Sequence, residues 1–134
     1  MMKHKIILMV AALMAVVALT AAKSKDLLVF EEKVYDFGTV AESAEPVVHE
    51  FPFTNVSDEP VAVLSVSTGC GCTRPKYPTE PIAAGKTGVI TITFVPKGQQ
   101  GNINKEIKVR YRGATASSSK RGTLRLRGNV TPTK

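Results

Sequence analysis

Cys70 and Cys72 stand one residue apart in the run Gly69-Cys70-Gly71-Cys72, and they are the only cysteines of the chain. Two sulfurs at this spacing can close a disulfide, exchange it with another thiol, or hold a soft metal such as copper, or zinc with further ligands. In an extended segment, residues two apart point to the same face. Their Cα atoms would then lie roughly 6.5–7 Å apart, at or beyond the usual limit for a bridge. Gly69 and Gly71 allow a bend that brings them closer. Bridging so short a loop removes little entropy from the unfolded chain, so a bridge here is expected to hold a local turn. A zinc site wants four ligands, and no second cysteine pair is present to supply them.

His49 is the one candidate third ligand, the other histidine being His4. It shares a period-two face with Phe51 and Phe53. Antiparallel pairing with the Val61–Val66 strand would bring the start of its own strand towards Cys70 and Cys72. That gives a candidate copper or zinc set of Cys70, Cys72 and His49. The alternative is a histidine at the rim of the core.

A second candidate is basic. Lys108 and Arg110 alternate with Ile107, Val109 and Tyr111, and Arg125 and Arg127 alternate with Leu124 and Leu126. Facing Tyr111 with Leu124 and Val109 with Leu126 keeps apolar residues opposite one another. That register sets Arg110 against Arg125 and Lys108 against Arg127 on the outer face. Like charges directly opposite are unfavourable. A stripe retained at that cost points to an anion-binding surface for a protein or an anionic envelope polymer. The alternative is a solvated face partly countered by Glu106.

No nucleophile–base–acid set or paired carboxylates are legible, so catalysis is not expected. Gly85-Lys86-Thr87 lacks the glycine a phosphate loop needs five residues earlier, where Glu80 stands. Asn55-Val56-Ser57 and Asn129-Val130-Thr131 have the form of glycosylation sequons, which matter only in a eukaryotic source.

The chain has an address as well. Lys3 and Lys5 precede an uncharged apolar run from Ile6 to Leu19, and Thr20-Ala21-Ala22 supplies small residues for cleavage. Residues 1–22 therefore read as a signal peptide, and residues 23–134 as one exported domain, periplasmic or secreted. The apolar run falls short of the ~20 residues of a membrane span, so no transmembrane segment is expected after cleavage. The whole sequence carries a formal net charge of +7. Nucleic acid is not an expected partner, because the compartment is wrong and no aromatic platform is legible.

These residues must be positioned by strands. Leu27–Tyr35 begins apolar and runs to a turn at Asp36-Phe37-Gly38. Val47–Phe53, Val61–Val66, Ile90–Phe94, Ile107–Tyr111 and Leu124–Leu126 follow, most of them alternating with period two. Six or seven short strands between Gly, Pro and Asn/Asp/Ser turns predict an all-β, antiparallel sandwich of about seven strands with an immunoglobulin-like form. The expected core is Phe51, Phe53, Ile90, Ile92, Phe94, Val109 and Leu126. Pro52 places its strand at an edge or a bulge. Pro75, Pro78 and Pro81 are expected to stiffen a crossover between the sheets and to blunt an edge.

Four blocks carry a resemblance: Tyr35-Asp36-Phe37-Gly38-Thr39-Val40, His49-Glu50-Phe51-Pro52-Phe53-Thr54-Asn55, Cys70-Gly71-Cys72-Thr73-Arg74-Pro75, and Pro81-Ile82-Ala83-Ala84-Gly85-Lys86-Thr87-Gly88. In this order they resemble a widespread family of secreted bacterial domains of unknown function. That family is similar in fold to the immunoglobulin-like group of Hydin and major sperm protein domains. Ala84 stands where the family usually has proline. The resemblance implies a fold and an exported location, and no established activity. The expected function is a non-enzymatic binding or structural module. The alternative is a small thiol protein that binds copper or exchanges disulfides through Cys70 and Cys72.

Overall fold

The computed structural model describes residues 26–133; the leader read over residues 1–22 lies outside them. The described chain forms eight strands: β1 (Leu28–Phe30), β2 (Val34–Ala41), β3 (Val47–Asn55), β4 (Val61–Ser67), β5 (Thr73–Lys76), β6 (Thr87–Phe94), β7 (Gly101–Gly113) and β8 (Lys120–Thr131). They pair into two four-stranded sheets, in the orders β1-β3-β6-β5 and β2-β8-β7-β4. The fold is the expected all-β, immunoglobulin-like sandwich, with one strand more than the alternation suggested.

The core is built by the inward residues of both sheets. Phe51, Phe53, Ile90, Ile92, Phe94, Val109 and Leu126 are all buried, as their alternation predicts. Ile107, Leu124, Val61 and Val130 join them. Phe37 stacks against Phe94 across the sandwich, with ring centroids 5.3 Å apart. It fits because Gly128 offers no side chain: a Cβ there would lie 2.4 Å from the Phe37 ring.

Five expectations are corrected. The first strand is really two. After Phe30 the chain leaves the first sheet, and Val34 opens β2 in the second. The charged run Glu31-Glu32-Lys33, useless to a core, spans the change. Asp36-Phe37-Gly38 does not end a strand either. It forms an irregularity within β2, where Gly38 has φ 76° and its N–H donates to Asp36 Oδ1 at 2.8 Å. β2 also pairs parallel to β8, so the sandwich is not wholly antiparallel.

Pro52 sits in β3, which is an interior strand. A residue of an antiparallel strand turns its N–H and C=O towards the same neighbour. The Pro52 carbonyl accepts from Glu31 N–H at 3.3 Å, on the side of β1. β1 has stopped at Phe30, so no ladder bond asks for the N–H that proline lacks.

The prolines do not form the crossover between sheets. Pro75 lies in the edge strand β5, where it blunts the edge, and Pro78 and Pro81 lie between β5 and β6 of one sheet. The crossing from β4 to β5 is the cysteine segment itself.

Candidate functional site

β4 ends at Ser67 in one sheet and β5 begins at Thr73 in the other, so Thr68 to Cys72 carry the chain across the sandwich. Gly69, at φ 70°, starts the bend. The Thr73 N–H donates to the Cys70 carbonyl at 3.2 Å and closes a turn. The Thr68 hydroxyl bridges the carbonyls of Cys70 and Thr73, at 3.1 and 2.9 Å. Val95 N–H donates to the Cys72 carbonyl at 2.8 Å, anchoring the far side to the end of β6. Within this frame the Cα atoms of Cys70 and Cys72 lie 5.3 Å apart and the sulfurs are joined. The bend at Gly69 has therefore brought the cysteines inside the normal range for a bridge.

Each sulfur has a polar neighbour. Cys72 N–H donates to Cys70 Sγ at 3.2 Å, and the Thr73 hydroxyl lies 3.5 Å from Cys72 Sγ. Both cysteines are half-buried, and Cys72 packs against the core.

Because backbone and threonine bonds hold this turn, the bridge adds little to it. A Cys70→Ser/Cys72→Ser variant is expected to fold and to lose no more than about 1.5 kcal/mol, the chain-entropy value for so short a loop. Urea unfolding of the variant checks this, and failure to fold would make the bridge structural.

His49 is not brought to the cysteines. Val47 and Thr73 pair with Phe94 from opposite sides, so β3 and β5 are separated by the width of β6, roughly 9–10 Å. His49 lies a further two residues along β3, paired with Ile92. Its ring turns to the other edge of the sandwich. It stacks on Tyr35 with centroids 3.6 Å apart, meets the edge of Phe51 at 4.7 Å and hydrogen-bonds with Glu32. His49 is thus a rim residue that ties β3 to β2. Among the described residues, no group of three or more His, Cys, Asp or Glu side chains is placed to hold a metal ion.

The basic hairpin also differs from its expected register. Tyr111 faces Lys120, Arg110 faces Arg121, Val109 faces Gly122 and Ile107 faces Leu124. Arg125 is thereby set opposite Glu106, and its guanidinium donates to Asn104 Oδ1 at 3.3 Å. Arg127 faces Asn104 on one side and Asp36 on the other. It lines an open depression of about 460 Å³ with Asp36, Thr39, Asn102 and Asn129.

Lys108 and Arg110 stay on the outer face with Arg112, at alternate positions along β7, and all three are exposed. Arg121 joins them from β8. On the other flank, β4 presents Ala62, Ser65 and Ser67 opposite Arg112, Arg110 and Lys108. Among the described residues, no carboxylate forms an ion pair with any of these four cations. Tyr111, buried beneath them, adds no charge: burial pushes its phenol up from the ordinary value, and Asp26 pushes it further.

Arg112 and Arg121 were absent from the sequence-derived stripe. Arg112 was within reach, since it continues the alternation of Lys108 and Arg110. Arg121 was hidden by the misplaced register.

The sandwich is shared with proteins of remote sequence. It is similar to PapD-like domain 7 of human CEP192, with TM-score 0.63 and 15% identity over 81% of this chain and 87% of that one. It resembles WR4, a C. elegans MSP family member, with TM-score 0.54 and 13% identity over 79% and 99%. It also resembles part of the Vibrio cholerae VesB protease structure, with TM-score 0.63 and 14% identity over 78% of this chain. The chain spans only 32% of that protease's length. At such identities the likeness shows the fold alone. Among curated protein sequences, none matches this chain. Residues 28–130, which carry the bridged turn, the basic face and both sheets, match the family described as Protein of unknown function (DUF1573), and the chain belongs to it.

Proposed function

We propose that this is an exported, non-enzymatic binding module that engages an anionic partner through the outer face of its second sheet. The observation that carries the reading is the grouping of Lys108, Arg110, Arg112 and Arg121, all exposed and none faced by a carboxylate. Arg110 and Arg121 lie directly opposite each other, an unfavourable placement unless something negative comes between them. The small residues of β4 leave one flank of this ridge open to an incoming chain. An anionic envelope polymer or an acidic protein surface fits these features. The exported location rests on the basic start, apolar centre and small-residue end of residues 1–22. No helix among the described residues is long and apolar enough to cross a membrane.

The test is retention on an immobilised polyanion. Wild-type protein is expected to bind and to elute as salt is raised, because exposed charges are screened within roughly 10 Å at 0.1 M salt. Arg110→Ser/Arg121→Ser is expected to elute at clearly lower salt. Arg125→Ser, which removes a cation already opposite Glu106, is expected to change little. Equal retention of the double variant and wild type would leave the ridge as a solvated surface and defeat the reading.

A further inference from the structure

We propose that Cys70–Cys72 is a redox-active disulfide that oxidises the dithiol of a partner protein, with Cys70 as the sulfur first attacked. This site borders the basic ridge at Lys108, but the exchange does not depend on the ridge's partner.

The bridge has little structural work to do. The turn is already closed by Thr73 N–H on the Cys70 carbonyl and by the Thr68 hydroxyl on two carbonyls. Those bonds involve no sulfur and survive its reduction. The two thiols so produced stay on one turn, ready to close again.

Gly71 carries the second part of the argument. Glycine is normally required by a positive φ or by crowding. Gly69 has the first reason, with φ 70°. Gly71 has neither: its φ is not positive, and a Cβ built there would meet nothing within 4 Å beyond its own chain neighbours. What a bare Gly71 does provide is open space beside Cys70. Both flanking glycines are exposed, whereas Cys72 packs against the core. An incoming thiolate therefore reaches Cys70 more readily than Cys72.

The sulfurs are also equipped for the reduced state. Thiolates are stabilised by hydrogen-bond donors. Cys70 Sγ has the Cys72 N–H at 3.2 Å, and Cys72 Sγ has the Thr73 hydroxyl at 3.5 Å. Beside the turn, an open depression of about 330 Å³ is lined by Ser67, Thr68, Gly69, Lys105, Glu106 and Lys108. Two lysines against one carboxylate leave this depression net positive, which favours the approach of a thiolate.

The exchange balances as follows. One partner thiolate attacks Cys70 Sγ, forming a mixed disulfide and breaking the Cys70–Cys72 bond. Cys72 leaves as a thiolate beside the Thr73 hydroxyl and takes a proton from solvent. The partner's second thiolate then attacks the partner sulfur of the mixed disulfide and expels Cys70 as a thiolate. Two electrons pass from the partner dithiol, which becomes a disulfide, to the Cys70–Cys72 pair.

The test uses dithiothreitol as the dithiol, with alkylation of free thiols and mass spectrometry of the folded protein. Wild type is expected to be reduced without unfolding. Gly71→Leu is expected to be reduced roughly tenfold more slowly, because attack depends on access, with its thermal midpoint unchanged. Single variants fix the order. With oxidised glutathione, Cys70 in Cys72→Ser is expected to form the mixed disulfide roughly tenfold faster than Cys72 in Cys70→Ser. Reduction of wild type only on unfolding would overturn the proposal, and so would an unchanged rate in Gly71→Leu. Faster trapping at Cys72 would overturn the assigned order of attack.

Discussion

Replacing Phe51 with alanine is expected to lower the unfolding free energy by about 3–5 kcal/mol, the usual loss when a buried aromatic ring is deleted from a core. Phe51 lies in the interior strand β3, paired with Ile90, and has no exposed surface. Its ring also takes the T-shaped contact from His49, so the deletion empties a volume and loosens the rim that joins β3 to β2. Interior strands in both sheets fix the surroundings, and the gap cannot collapse freely. A urea titration measures the effect, with the slope unchanged and the midpoint lowered. Val48 serves as the control: it is the next neighbour but two on the same strand, 59% exposed, and its replacement by alanine is expected to change stability by less than about 0.5 kcal/mol. Equal midpoints for wild type and Phe51→Ala would refute the assigned inner face of β3.

Asn55→Ala is expected to cost roughly 2–4 kcal/mol, because it leaves several partly buried groups without partners at once. The Asn55 side chain has no exposed surface. Its Nδ2 donates to the carbonyls of Glu59 and Ile82, at 2.8 and 2.9 Å. Its Oδ1 accepts from the Ser57 N–H at 3.0 Å and from the Ser57 hydroxyl at 2.6 Å. One amide thus fastens the turn after β3 to the segment before β6. Asn55→Asp separates donor from acceptor. The carboxylate keeps the Ser57 bonds but turns lone pairs towards two carbonyls, so its loss is expected to match or exceed that of alanine. Thermal unfolding of both variants reads the result. An aspartate variant as stable as wild type would show that the Nδ2 bonds contribute nothing.

Asn55 also shows where sequence reading stops. Asn55-Val56-Ser57 has the form of a sequon, yet the same spacing lets an asparagine oxygen accept from the backbone two residues on. The spacing alone does not choose between them; burial does. Alternation performed well for faces. Phe51, Phe53, Ile90, Ile92, Phe94, Val109 and Leu126 all point inward, since period two is a property of one strand by itself.

Register is a property of two strands, and alternation cannot fix it. Sliding β8 along β7 by an even number of residues keeps every apolar side chain on the inner face. The pairing of Tyr111 with Leu124 was therefore as consistent with the pattern as the real pairing with Lys120. What selects the latter lies outside the hairpin. Gly128 must sit where Phe37 of β2 fills the space, since a Cβ there would lie 2.4 Å from that ring. For the same reason the sequence showed which cations face outward, but not which of them meet Glu106, Asp36 or one another. In the cysteine turn, the possibility of a bend was legible from Gly69 and Gly71. The separation from His49 was not, since it depends on β6 lying between β3 and β5.

The parallel pairing of β2 with β8 bears on the order of assembly. β2 contains the early residues Val34–Ala41, and β8 is the last strand of the domain. β2 has no other neighbour in its sheet, so it stays unpaired until β8 emerges. A ladder between segments so distant along the chain forms slowly. Closure of the second sheet is therefore a late event that waits for nearly the whole domain to be present. Until β8 is present, both β2 and β7 lack a neighbour, and the second sheet stays open however far the first has assembled.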